Sequence, residues 1–187
     1  MPHDHAAAAR LVVLDRDGVI NRDSSEFVKS ADEWLPLDGS IEAIAALSKA
    51  GYKIAVASNQ SGIGRGLIDD AALGAMHEKM CSLVAAAGGR IDHIAWCPHR
   101  PDEGCDCRKP APGLLLQIAA RFACPMTAVP VVGDSLRDLE AALAVQARPI
   151  LVRTGNGEKT LAALPPNLAG IEVFNDLGSA ADALLAE

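Results

Sequence analysis

Asp15 and Asp17 close the β-branched run Leu11-Val12-Val13-Leu14 and are followed by Gly18. A run of this kind that stops at paired acids reads as a buried strand handing two carboxylates to a turn. By itself such a pair is as consistent with a turn that caps its own backbone as with chemistry. Three further polar groups follow other apolar runs in the same manner: Ser58-Asn59, the Cys97 loop that reaches Arg108-Lys109, and Gly133-Asp134. Three of the five cysteines, Cys97, Cys105 and Cys107, fall within eleven residues alongside His99. In a chain of the reducing cytoplasm that cluster points to metal binding before disulfides. Cys81 and Cys124 lie in helical patterns and read as buried apolar fillers. His77 and His93 read as a helix-surface and a strand residue, and His3 and His5 as part of a frayed end.

The elements that must carry these groups alternate along the chain. Strands are predicted at 11–14, 53–57, 91–96, 129–132 and 149–152, with a weak one at 171–174. Helices are predicted from Ser40 as cap to near Gly51, from Asp69-Asp70 to Gly88-Gly89, over 113–122, through Leu139 and Leu143, and over 177–185. The stretch 21–38 has little periodicity and reads as a long flap loop of the kind that often carries function. Alternation of strand and helix implies an α/β fold, a doubly wound, Rossmann-like parallel sheet with helices on both faces. In such a sheet ligands bind beyond the carboxyl ends of the strands, so the four polar groups can converge although they lie far apart in sequence.

Composition narrows the function. With 187 residues, 50% apolar and 22% charged, the chain is the size of one domain spanning 1–187 and is not disordered. Six aromatic residues leave the core to Ala, Leu, Val and Ile. The net charge of −7 opposes generic attraction to nucleic acid or anionic lipid, while an anionic small molecule remains admissible through a bound cation. Apolar runs reach only five residues, so no membrane span is expected, and the first residues lack the pattern of a signal peptide. A cytoplasmic location, no nucleic-acid or membrane partner, and a monomer are the expectations.

Asp15-Arg16-Asp17-Gly18-Val19-Ile20, Ser58-Asn59-Gln60-Ser61-Gly62, Lys109-Pro110 and Val132-Gly133-Asp134-Ser135-Leu136-Arg137-Asp138 together resemble, in order and interval, the four motifs of the haloacid dehalogenase-like (HAD) phosphatases. The resemblance covers nearly the whole chain. It implies a Mg²⁺-dependent phosphatase in which Asp15 is the nucleophile that forms an aspartyl-phosphate. Asp17 would be the acid and base, Ser58 and Lys109 would hold the transferring group, and Asp15, Asp17 and Asp134 would bind Mg²⁺. Asp138 would orient Asp134 or a metal-bound water, or else be a solvated acid at a helix start. Cys97, His99, Cys105 and Cys107 form a full set for a structural, tetrahedral Zn²⁺ in the loop 97–107, which would fix Arg108-Lys109.

The interval 21–38 is too short for a cap domain, so a capless HAD-like core with a zinc-binding loop is expected. Substrate recognition would then fall to Asp23, Asn59, Gln60, Ser61 and Arg108. The Asp-Arg-Asp-Gly-Val-Ile-Asn opening and the zinc loop running into Cys107-Arg108-Lys109-Pro110 are most similar to the branch that removes the 7-phosphate of a heptose bisphosphate for lipopolysaccharide or a related glycan. A histidinol-phosphate phosphatase is the alternative. Ser24-Ser25-Glu26 after Asp23, and Ser135 where a lysine can occur, depart from some members and leave the anomer preference open.

Overall fold

A computed structural model describes residues 10–187; the expectations for the first nine residues, His3 and His5 among them, lie outside it. Strands β1 (Leu11–Leu14), β2 (Lys53–Asn59), β3 (His93–Cys97), β4 (Pro130–Gly133), β5 (Arg148–Val152) and β6 (Glu172–Phe174) form one sheet. Their order is β3-β2-β1-β4-β5-β6, and every pairing is parallel. The helices are α1 (Ser40–Lys49), α2 (Ser61–Gly64), α3 (Asp70–Ala86), α4 (Gly113–Phe122), α5 (Leu136–Ala144), α6 (Gly157–Ala162) and α7 (Leu177–Leu185).

The inner strands β1, β2, β4 and β5 are largely buried on both faces, and alternate residues feed two cores. Val12, Leu14, Ile54, Val56 and Ile150 pack against α1, α3 and α7. On the opposite face, Leu11, Val13, Ala55, Ala57 and Val131 pack against α4 and α5. The order reverses at β1, because the chain runs outward through β2 and β3 and then returns to place β4 on the other side of β1. A crevice opens at that switch point, beyond the carboxyl ends of β1 and β4.

Several local expectations are corrected. Ser40 is not the cap of α1: Gly39 precedes the helix with φ 76°, and the Ser40 hydroxyl donates to Ile20 O and Leu37 O. Strand β2 continues through Ser58 and Asn59, which pair with Trp96 and Cys97 of β3. Helices α2 and α6 are short, glycine-bearing turns without apolar periodicity, so nothing in the sequence marked them. Cys81 and Cys124 are only partly buried. His77 is partly buried, with its ring edge-on to Trp96 at 5.5 Å. The stretch 21–38 lacks helices and paired strands, as expected, but it is pinned. Trp34 is fully buried, and the Lys79 ammonium donates to Ala31 O and Trp34 O at 2.6 and 2.8 Å.

Candidate active site

The four strand-end groups meet at the switch point and line a cavity of about 340 Å³. Asp15, directly after β1, accepts from the Arg16 N–H at 2.7 Å and pairs with Lys109 Nζ at 2.9 Å. Lys109 is almost wholly buried, donates to Ala57 O at 2.7 Å and forms a second ion pair with Asp138 Oδ1 at 2.5 Å. Asn59 holds the Lys109 backbone from both sides, accepting from its N–H at 3.0 Å and donating to its C=O at 3.1 Å.

Asp138 is not a solvated acid. It is buried at the start of α5, where it accepts from Ser135 N–H and Oγ and pairs with Lys109. Burial alone would push its carboxyl up, but the Lys109 ammonium and the Ser135 bonds hold it below the usual carboxylate range. Asp134 accepts from the Asn156 N–H at 2.7 Å and the Asn156 side chain at 3.2 Å. Burial and then the Asp138 charge nevertheless push it up to about 6. Asp15 is also raised well above its usual value, by burial first and then by Asp138, against the opposing pull of Lys109.

Two glycines make this crowding possible. A Cβ at Gly18, where φ is +85°, would lie 2.1 Å from Asp134 Oδ2, and one at Gly155, at φ +59°, would lie 2.2 Å from the same atom. Any side chain at either position would displace the carboxylate.

Asp17 lies to the side of this cluster. Its two oxygens accept from the Arg16 guanidinium at 2.9 to 3.2 Å, from Asn21 Nδ2 at 2.9 Å and from Gln60 Nε2 at 2.8 Å. Burial opposes its charge most strongly, but the Arg16 guanidinium and the hydrogen bonds from Asn21, Arg16 and Gln60 together lower its pKa. Gln60, expected to meet substrate, is itself buried and joins Asp17 to Ser58 Oγ at 2.7 Å. Ser58, Ser61 and Asp23 line the cavity.

The carboxylates of Asp15, Asp134 and Asp138 each offer an oxygen within 4.8 Å of the others. Asp15, Asp17, Asp134 and Asp138 face only two buried cations, Lys109 and Arg16, so the charge of one divalent cation is missing. Burial first, and then the charge of Asp138, raise the carboxyls of Asp15 and Asp134. A hard cation with oxygen ligands fits the site.

The second cluster brings Cys97, His99, Cys105 and Cys107 together. Contacts among their sulfur and Nδ1 atoms run from 3.2 to 3.6 Å. A tetrahedron with Zn–S bonds of about 2.3 Å has edges of about 3.7 Å, so the set suits a small tetrahedral ion. Burial and the neighbouring Cys107 thiol push Cys97 up to about 12, so loading a metal must displace protons.

Four site residues escaped the sequence reading. Asn156 bridges Asp134 to Asp23, the latter at 3.1 Å. Arg65 and Arg137 join Arg108 on the cavity wall, and burial, then Arg137, and more weakly Arg65, lower the Arg108 pKa. Arg16 is the fourth. Only the arginine inside Asp15-Arg16-Asp17 had a sequence signal, its place between two acids.

A HAD-hydrolase-like family model matches residues 106–180, and a polynucleotide kinase 3 phosphatase model matches residues 10–135. The D-glycero-beta-D-manno-heptose-1,7-bisphosphate 7-phosphatase of Pseudomonas aeruginosa is 53% identical over 94% of this chain and 97% of its own length. The protein of the same name from Escherichia coli is 39% identical over 80% of this chain and 82% of its own. A crystal structure of the D,D-heptose 1,7-bisphosphate phosphatase from Bordetella bronchiseptica, complexed with magnesium and phosphate, superposes with a TM-score of 0.91. It is 52% identical, with coverage of 95% of this chain and 98% of that one. The chain therefore belongs to the D-glycero-beta-D-manno-heptose-1,7-bisphosphate 7-phosphatase family of HAD-like hydrolases.

Proposed function

We propose that the protein removes the 7-phosphate of D-glycero-D-manno-heptose 1,7-bisphosphate by way of an aspartyl-phosphate on Asp15. The observation that carries the reading is the buried Lys109, held between Asp15 and Asp138 at one end of a cavity whose wall bears Arg65, Arg108 and Arg137. A site for the transferring phosphoryl group and a separate cationic wall suit a substrate with two phosphates.

Asp15 Oδ attacks phosphorus in line as the bond from phosphorus to the C7 oxygen breaks, and Asp17 gives that oxygen its proton. Asp17 then takes a proton from the water that cleaves the acyl phosphate, releasing inorganic phosphate and regenerating Asp15. Lys109 and Ser58 hold the phosphoryl oxygens, and Arg108, with Arg65 and Arg137, holds the distal phosphate. Mg²⁺ bound by Asp15, Asp134 and the Asp17 carbonyl would neutralise phosphoryl charge. Asp23, reaching across to Asn156, and Ser61 are placed to meet sugar hydroxyls. Zn²⁺ on Cys97, His99, Cys105 and Cys107 would be structural and would fix the loop that ends in Arg108-Lys109. The protein would act as a monomer in the cytoplasm.

The test is phosphate release with Mg²⁺, comparing both anomers of the heptose bisphosphate with histidinol phosphate. A kcat/KM preference of ~100-fold or more for a bisphosphate is expected, about 2.7 kcal/mol of differential transition-state binding. A preference for histidinol phosphate would overturn the substrate while leaving the chemistry in place.

A further inference from the structure

Gln60 spends its polar atoms inside the protein. One Nε2 proton goes to Asp17 Oδ2 at 2.8 Å, the other to Ser58 Oγ at 2.7 Å, and Oε1 accepts from Arg16 Nη2 at 3.1 Å. Its backbone N–H is anchored on Cys97 O at 2.8 Å, at the end of β3. With the residue 4% exposed, neither amide proton is available to a sugar. Arg16, 1% exposed, grips Asp17 through Nε and Nη2 together.

A side chain that must deliver a proton to one oxygen and then take one from water has to be held at a fixed angle to the phosphorus. Asp17 has two partners on its own turn, Arg16 and Asn21, and one that also touches the phosphoryl-binding Ser58, namely Gln60. We propose that Gln60 and Arg16 are positioning residues that set Asp17 for proton transfer, and that Gln60 makes no contact with substrate. The inference rests on the reading of Asp17 as acid and base.

The test separates alkyl from aryl leaving groups, since an alkoxide needs the proton of Asp17 and a nitrophenolate departs without one. Gln60→Met, Arg16→Lys and Asp17→Asn are compared with wild type in the magnesium- and zinc-loaded enzyme. The aryl substrate is p-nitrophenyl phosphate, and the alkyl substrate is whichever of heptose 1,7-bisphosphate and histidinol phosphate turns over faster. Gln60→Met is expected to lower alkyl kcat/KM ~10-fold or more with KM within ~3-fold, and to lower at least ~5-fold the alkyl-to-aryl ratio of kcat/KM, which reports departure of the leaving group and not the later hydrolysis that both substrates share. Arg16→Lys keeps the charge without the fork and should move the ratio the same way; should it fail to fold, Gln60→Met decides.

Equal losses of kcat/KM on both substrates would reduce Gln60 and Arg16 to scaffold, and a rise in KM alone would make Gln60 a substrate contact; either overturns the proposal. An unchanged ratio in Asp17→Asn would instead overturn the acid–base reading on which it stands. A ratio lowered in Asp17→Asn but not in the other two variants would remove the positioning inference alone.

Discussion

Replacing Lys109 by Met keeps the length of the stem and removes the charge that Asp15 and Asp138 share. At Nζ to oxygen distances of 2.9 and 2.5 Å, each pair is a direct contact, and the ammonium side chain is 5% exposed. Removing one partner of a buried pair costs ~3–5 kcal/mol, because the other charge stays buried. Asp15 can respond by keeping a proton, as its already raised pKa shows, whereas Asp138 is held ionised by Lys109 and Ser135 and bears the loss. The expected destabilisation is therefore ~3 kcal/mol, at the lower end of that range.

Adding Asp138→Asn should restore much of this stability, since the amide still accepts from the Ser135 N–H. The double variant should be more stable than the sum of the singles by ~2 kcal/mol. The sign with pH follows from the lowered Asp138 pKa. The stabilisation is present above the unfolded carboxylate value of about 3.9 and is lost as pH falls from there through the lower folded value, so wild type and Lys109→Met start to converge only below about pH 4 and meet beneath the folded Asp138 value. Urea unfolding of the four proteins at pH 7 and at a series of values below about pH 4 measures both effects. Additivity within ~0.5 kcal/mol at pH 7 would refute the shared-charge account. Phosphate release should remain down ~10²-fold or more in Lys109→Met and in the double variant, because stability returns without the donor.

Mg²⁺ affinity, measured by calorimetry, should be level above about pH 7 and weaken about tenfold per unit below about pH 6, where Asp134 takes up a proton. The same raised pKa makes the metal-free fold more stable as pH falls from 7 towards 5, because the buried charge is discharged. Arg108→Ala should raise KM for the heptose bisphosphate ~10-fold and for a monophosphate much less, and equal effects would remove the distal-phosphate role. Gly155→Ala forces a Cβ to within 2.2 Å of Asp134 Oδ2, and Mg²⁺ affinity should drop ~10-fold or more; an unchanged affinity would show that the carboxylate can move aside. Elemental analysis should find one zinc per chain, reduced in Cys107→Ser with a lower Tm, and a metal content indifferent to that change would dismiss the zinc site.

The alternation of β-branched runs with alanine-rich helical patterns was legible in the sequence because strands buried on both faces and amphipathic helices differ in hydrophobic period. The Cys97-His99-Cys105-Cys107 spacing was legible for a similar reason, since a loop of this length can close on one ion. Asp15 and Asp134 could be placed because each follows an apolar run directly, and a parallel sheet sends all its carboxyl ends to one side.

Local spacing contains no record of what a side chain meets across the sheet. That β1 lies between β2 and β4 was decided by the tertiary packing, and with it the meeting of Lys109 with Asp138 and of Asn156 with Asp134 and Asp23. Burial then settled the surroundings of each group: it made Asp138 the partner of an ammonium and set the Gln60 amide against Asp17, Ser58 and Arg16. The sequence by itself determined which residues reach the mouth of the sheet, since that depends on where each strand stops. Only the folded chain decided which of them share protons and which face the substrate, because those relations depend on distances between segments and on the water excluded from between them.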